Sequence, residues 1–448
     1  MAMSRRVLFS LGDLTASVPT TVINFFQLWF LTDVARLPPA AVAWSLGAAK
    51  LWDAVNDPLI GLVTDRLRGP WGRRRGPILV AAPLLGLSFA LLWVVPPLSG
   101  FPLAFYYAAA FILFDTAYTL FYVSYNALTP ELAKDYDERS SLNGIRMAFS
   151  IGGTICAVVL LTVLGWVMPD PRLRFGLAGI MLGLASIAPA LAVFRATRGL
   201  DEAAEDEGET PTMREDLRAV LSNKPFLKVS LLNFLTWTSA TLISSILVYF
   251  AAYCLRVPDQ ANYLVLAAQV SAIAFIPLVV AISKRWDKRR ALLVGCATWI
   301  FVQAGIAFLR PGLVWPAYLL AGLMGFGIAT AYVVPWAMLP DAIEAERAGS
   351  GRRREGAHYA FAVFFQKLGT AAAVWLVGQA LARTGYVTPS QALPFPEQPA
   401  GAVLALRFAI GAAPGLLLLG ALAVSAGYGV GREEQRAASL AIAAGSEG

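Results

Sequence analysis

Twelve runs of predominantly apolar residues, each close to the length of a membrane-crossing helix, constrain this chain more than any other feature. Bounded by charged or Pro/Gly-rich breaks, they fall near 9–32, 42–64, 77–96, 101–127, 145–168, 175–194, 227–254, 261–283, 291–309, 312–338, 358–382 and 404–430. A helix crosses the hydrocarbon core in roughly 20 residues. Composition agrees, with 57% hydrophobic and 15% charged residues against about 45–50% and about 25% in soluble domains. The expected fold class is an all-α polytopic membrane protein of twelve transmembrane helices. A disordered chain, a fibre and a disulfide scaffold are excluded. Cys156, Cys254 and Cys296 sit inside apolar runs without metal-ligating neighbours and read as small packing residues. The first run does not read as a cleaved signal, because Asp13 interrupts it and no small-residue cleavage site follows.

The net charge of +7 is explained by its placement. Most Lys and Arg fall on the side of the two termini and of the loops that follow the even-numbered spans, among them Arg66, Arg68, Arg73 to Arg75, Lys288 to Arg290 and Arg352 to Arg354. The opposite side has Arg36, Arg172, Arg174, Arg256, Arg310 and Arg383. The positive-inside rule then puts both termini in the cytoplasm of a multi-pass protein of the cell (inner) membrane. Nucleic acid is not implied. The longest connection, 196–226, contains the acidic stretch Asp201 to Glu209 and reads as a solvated cytoplasmic linker. It separates six spans in 1–195 from six in 227–448.

The two halves repeat each other. Arg36-Leu37-Pro38 after span one recurs as Arg256-Val257-Pro258 after span seven, at an offset of 220. Pro58 in span two recurs as Pro277 in span eight, at 219. The end of span four, Tyr122 to Glu131, recurs as Tyr332 to Asp341 in span ten, at 210. Two parallel six-helix pseudo-repeats, with a substrate site expected between them near the midplane, make up the major-facilitator fold. The turn after span two, with Asp65, Arg66, Gly72, Arg73 and Arg74, resembles that superfamily's loop signature. Asp65 and Arg73 are therefore candidate gating residues.

An ionisable group at mid-bilayer costs roughly 2.5–3.5 kcal/mol on insertion scales and is read as functional by default. The intramembrane acids are Asp13, Asp53, Asp57 and Asp115; the bases are Lys50, Arg146 and Lys367. Asp53 and Asp57 are four residues apart and share one face of span two. Two carboxylates together in low dielectric stay ionised only with a cation beside them, and a hard cation such as Na⁺ takes oxygen ligands. Asn56 adds an amide oxygen. The equivalent positions of span eight are Ala272 and Ile276, so the fold does not demand the pair. The alternative is a structural ion pair with Lys50, Arg146 or Lys367. Asp115, Thr119 and Tyr122 form a stripe along span four that lines a cavity or bonds a neighbouring helix. Asp13 is a substrate candidate or a residue of the cytoplasmic interface, Arg146 a gate or a loop partner. Lys367 lies mid-span, where it senses cation occupancy, holds an anionic substrate group or neutralises an aspartate. His358, the single histidine, borders a loop, and no proton-relay role is assigned to it.

The segment Lys50-Leu51-Trp52-Asp53-Ala54-Val55-Asn56-Asp57-Pro58 resembles the span-two signature of the glycoside–pentoside–hexuronide:cation symporters, the family of the melibiose permease. The resemblance continues through Trp71-Gly72-Arg73, Tyr118-Thr119-Leu120, Asp137-Glu138-Arg139 and Phe365-Gln366-Lys367-Leu368-Gly369. It implies that Asp53, Asn56, Asp57 and Thr119 bind the coupling cation (Na⁺, H⁺ or Li⁺), Asp53 and Asp57 as the Na⁺-ligating acids. Lys367 would be the span-eleven lysine near that site, and Lys50 and Arg146 would serve coupling. The sugar positions depart from the family pattern. Tyr122 stands where the sugar-binding aspartate would be, Asn126 where a tryptophan would be, and Ser17 at the span-one aspartate. Asp13, Ser17, Asp115, Tyr122, Asn126, Trp336 and Lys367 are the substrate candidates.

The expected activity is secondary active transport: cation-coupled symport of a glycoside, sugar or related small organic solute by alternating access. Vertebrate lysophospholipid symporters share the span-two acid and the span-eleven lysine, so lysolipids or other amphipathic molecules are the alternative. Neither a cofactor nor an enzyme activity is expected. Asn56-Asp57 begins like the Asn-Asp-x-x-Asp motif of membrane prenyltransferases, but Ile60 stands where its second aspartate would be. The expected partners are the solute, a monovalent cation and the lipid bilayer, with a monomer as the working form.

Overall fold

Backbone amides have no water to bond in a bilayer, so a spanning segment must satisfy them within itself, as an α-helix does. In the computed structural model the described residues are 3–66, 71–72, 74–132, 136–199, 213–350, 355–390, 393 and 395–428; they form helices and connecting turns, with no strand among them. Eleven helices within them are long and apolar enough to cross a membrane. The remaining expected span, Pro39–Arg66, is a helix of 28 residues and is the one that carries Lys50, Asp53, Asn56 and Asp57. The acidic stretch 201–209, Arg73 and Arg352 to Arg354 lie outside the described residues.

One departure from regular α-helix has a local cause in proline. Span twelve is Ala400–Arg407, a π-helical turn Phe408–Ala412, then Ala413–Ala426. Pro414 has no N–H for a carbonyl four residues back, and the ladder widens just before it. Spans five and ten outrun the hydrocarbon core as Tyr136–Val167 (32 residues) and Val314–Ser350 (37 residues).

By its contacts the chain divides into two units. One comprises described residues of Met1–Asp206 with Gly378–Pro399; the other those of Glu207–Val377 with Ala400–Gly448. The segment 378–399, the last turns of span eleven and the chain after them, is built into the first unit. Its Gly378 packs on Ala43 of span two, where any Cβ would come within 2.6 Å of the alanine methyl.

Each unit pairs its spans alike. Span two packs on four and eight on ten; three packs on four and six, nine on ten and twelve. Spans three and six approach backbone to backbone, since a Cβ on Gly86 would lie 2.6 Å from the carbonyl oxygen of Gly183.

The repeat extends to backbone detail. Spans one and seven both end in a π turn, Phe30–Val34 and Phe250–Cys254, an offset of 220. Ala35 N–H donates to Phe30 O (2.8 Å) and Leu255 N–H to Phe250 O (2.9 Å). Leu37 then donates to Leu31 O and Val257 to Ala251 O, each at 2.9 Å. Arg36 and Arg256 reverse the chain at φ 62° and 60°, a left-handed conformation uncommon outside glycine. Two sequences that share little else therefore make one turn.

Some basic residues also do structural duty. Arg5 donates to Ala196 O (2.6 Å) and Arg198 O (2.9 Å), and Arg75 to Phe194 O (3.1 Å), at the end of span six. In the second unit Lys228 donates to Gly427 O and Arg289 to Ala426 O (2.8 Å), at the end of span twelve. Cations at a helix C-terminus satisfy its free carbonyls and oppose its dipole.

Cys254 and Cys296 are buried as packing residues, whereas Cys156 is exposed on span five. His358, in the first turn of span eleven, is fully buried, edge-on to Phe226 at 4.7 Å and 3.5 Å from the Asn223 amide.

Candidate cation-binding site

Span two presents Asp53, Asn56 and Asp57 along one turn, and span four presents Asp115 and Thr119 one turn apart. The packing of two on four sets these faces together in two rungs. Thr119 Oγ1 donates to Asp57 Oδ1 at 2.9 Å, and Asn56 Nδ2 donates to Asp115 Oδ2 at 3.3 Å. Trp52 Nε1 donates to Thr116 Oγ1 at 3.0 Å beside them. Asn56, Thr119, Asp115 and Asp53 are all buried, at 1%, 2%, 4% and 8% exposure. The Lys50 ammonium lies 5.0 Å above the Phe111 ring, a cation–π contact that holds its charge against span four. Tyr118 stacks on Tyr122 at 5.5 Å, and Tyr122 is 39% exposed.

An amide that spends its N–H on Asp115 keeps its carbonyl oxygen for another partner, and a hydroxyl that donates to Asp57 keeps its lone pairs. The donor set at this place is thus carboxylate, amide and hydroxyl oxygen, the ligands of a hard cation. Among the described residues no group of three or more His, Cys, Asp or Glu side chains is arranged to hold a metal. The carboxylates here are accompanied by the neutral oxygens of Asn56 and Thr119.

The second unit supplies an internal control. At the repeat offsets, Asp53, Asn56 and Asp57 become Ala272, Phe275 and Ile276, while Asp115 and Thr119 become Gly325 and Ala329. There spans eight and ten meet by close packing and through a bond from Ser271 Oγ to Ala321 O at 3.4 Å, with no acid at these positions. A Cβ on Gly325 would collide with Ser271 and the backbone of Ala272, and Phe275 lies edge-on to Phe326 at 5.6 Å. The same helix pair is built once with charge and once without.

A second polar cluster joins spans one, four and five. Arg146 Nε donates to Asp13 Oδ2 at 2.8 Å, and its other nitrogens donate to Asn126 Oδ1 (2.9 Å) and Thr129 Oγ1 (3.0 Å). Tyr125 donates to Asp13 Oδ2 at 2.6 Å and lies under the guanidinium at 4.5 Å. Asp13, Asn126 and Arg146 are therefore bound to one another. At the offset of 220, Asp13 of span one becomes Asn233 of span seven, and Asn233 Nδ2 donates to Gln366 Oε1 of span eleven at 3.1 Å. Spans one and five are thus joined by an ion pair, and spans seven and eleven by a neutral amide pair.

The other sequence candidates are spread more widely. Ser17 is buried against Gly153 of span five. Lys367 is half-buried on span eleven beside Gln366, and Trp336 half-buried on span ten, both in the second unit. Asp65 occupies the last turn of Pro39–Arg66, its side chain outside the described residues together with Arg73.

Sequence reading missed three features. Tyr125 completes the Asp13 cluster. Lys288 pairs with Asp341 at 2.5 Å and with Ala337 O, tying span nine to span ten. Asp33, buried at the end of span one, receives Tyr386 OH on both carboxylate oxygens at 2.9 Å and Thr32 Oγ1 at 2.5 Å. An acid closing an apolar run was the available signal for Asp33.

The sequence profile of the MFS/sugar transport protein family matches residues 8–432. The chain belongs to this family. A fellow member, an uncharacterized symporter of Synechocystis, is 31% identical over 95% of this chain and 94% of its own. The sodium-dependent lysophosphatidylcholine symporter 1 of Xenopus tropicalis is 25% identical, covering 97% and 89%. The family's fold is that of solved transporters: the crystal structure of a D-xylose-proton symporter superposes with a TM-score of 0.66 at 16% identity, over 94% of this chain and 96% of that one.

Proposed function

We propose that the chain is a Na⁺-coupled secondary symporter whose cation is held by Asp53, Asn56, Asp57 and Thr119. The observation that carries this reading is the paired rungs between spans two and four, set against their apolar counterpart in spans eight and ten. A cation between Asp53 and Asp57 removes their mutual repulsion and stabilises the conformation that accepts solute. By linkage, solute then tightens cation binding by the same factor. Sodium is preferred because sodium dependence is a property of relatives that match nearly the whole chain. A monomer is the proposed working unit. The distribution of basic residues supports a cell-membrane location with both termini cytoplasmic.

For the solute, a glycoside or related small organic molecule follows from the family as a whole. A specific observation favours a second reading, an amphipathic lysolipid. Tyr122, aromatic and half-exposed, replaces an acid expected of sugar recognition, and Asn126 and Asp13 are already engaged by Arg146. Thermal melting of the purified protein in nanodiscs, with melibiose or lysophosphatidylcholine and with or without Na⁺, separates the two, since a bound ligand raises the melting temperature. A Na⁺-dependent rise with one of them assigns the solute class. Absence of any Na⁺ effect on the protein would remove the coupling reading itself.

A further inference from the structure

The helix Met213–Ser222 belongs to none of the spans, and its place and surface point to a partner. It ends one residue before span seven, which begins at Lys224. The intervening Asn223 is buried and fixed: its Oδ1 caps span seven through Phe226 N–H at 3.0 Å, and its Nδ2 donates to Ala342 O of span ten at 3.1 Å. The C-terminal end of the short helix is thereby pinned at the start of span seven.

At about 100° per residue, Leu217 and Leu221 share one stripe, separated by a single turn. They are 47% and 52% exposed, whereas Val220 beside them is 1% exposed and packs on the protein. Arg218, exposed, borders the leucines, and Glu215, also exposed, points away from them. A ten-residue helix therefore keeps exposed leucines on one stripe with a cation on its margin, one residue before a membrane span.

We propose that Met213–Ser222 is an interfacial helix of the phospholipid bilayer. Leu217 and Leu221 enter the boundary between headgroups and acyl chains, and the Arg218 guanidinium reaches back to lipid phosphate, the geometry of amphipathic helices that lie in the membrane plane. Continuity with span seven selects this occupant over a soluble partner, because a helix tethered by one residue cannot leave the surface. Lodged there, the helix holds the connection between the two six-span halves against the membrane.

The test is depth-resolved quenching, and it reads neither cation nor solute. Single cysteines replace Leu217, Leu221 or Glu215 in a Cys156→Ala background, each labelled with an environment-sensitive fluorophore in phosphatidylcholine nanodiscs. The proposal expects 5-doxyl phosphatidylcholine to quench the labels at 217 and 221 at least about twofold more than the label at 215. Aqueous iodide should show the reverse order. Both leucine positions must agree, so a single variant that fails to fold leaves the other to decide. Equal quenching at 215 and 217, or iodide access at 221 matching that at 215, would overturn the proposal. Adding phosphatidylglycerol should increase lipid quenching in the wild-type background and leave it unchanged with Arg218→Gln; an equal increase in both would remove the phosphate contact.

Discussion

Thr119 donates its hydroxyl proton to Asp57 across 2.9 Å, and with this bond span four reaches the acid pair of span two. The hydroxyl belongs to a residue 2% exposed in a helix interface, so it is fixed before any cation arrives. Removing it by Thr119→Ala takes away a hydrogen bond to a charged group, worth about 1.5–3 kcal/mol. If Thr119 is a ligand, the Na⁺ concentration at half-maximal thermal stabilisation should rise about tenfold or more, each tenfold being about 1.4 kcal/mol. An unchanged midpoint would place Thr119 outside the site.

The Asp13–Arg146 pair should behave as a buried structural ion pair. Arg146→Gln or Asp13→Asn alone strands a charge, at a cost of about 3–5 kcal/mol. The double variant should recover a large part of that loss. Thermal melting of the four proteins provides the cycle, and strictly additive losses would contradict the coupling.

Asn233 and Gln366 form the neutral counterpart and should follow a different rule. Either single change to Leu leaves one buried amide without its partner, costing about 1–3 kcal/mol, while replacing both is close to neutral. The same melting measurements apply. A double variant as unstable as the sum of its singles would mean that each amide has another essential partner.

Gly325→Ala should lower the melting temperature, because the added methyl meets Ser271 and Ala272 of span eight. Overpacking of this kind costs about 1–3 kcal/mol. Gly322, one turn earlier, has open space at its Cβ position, and Gly322→Ala is the control expected to melt like the wild type.

What could be read from sequence divides along a physical line. Periodicity and hydropathy are properties of one helix, so the spans, the shared face of Asp53 and Asp57 and the stripe Asp115–Thr119 were all visible. The repeat was visible through Arg36 and Arg256 because a left-handed turn restricts which residues can flank it. Pairings between helices were not. Asn56 meets Asp115 across 59 residues, Asp13 meets Arg146 across 133, and Asp33 meets Tyr386 across 353. No local pattern encodes which face of one span a distant span will cover. Asp13 and Asn126 show the consequence: one an acid in an apolar run, the other at a sugar position of the family resemblance, they read as substrate candidates, and the fold ties both to Arg146.

Equilibrium binding of radioactive sodium to the purified protein bears most directly on the cation site. Wild-type protein should bind sodium saturably, and Asp53→Asn and Asp57→Asn should each abolish that binding while melting as a folded protein. The apolar counterpart of the site in spans eight and ten makes this loss the expected result, since the fold is built there without the acids. Saturable sodium binding retained in the Asp53→Asn/Asp57→Asn double variant, at an affinity close to wild type, would contradict the account.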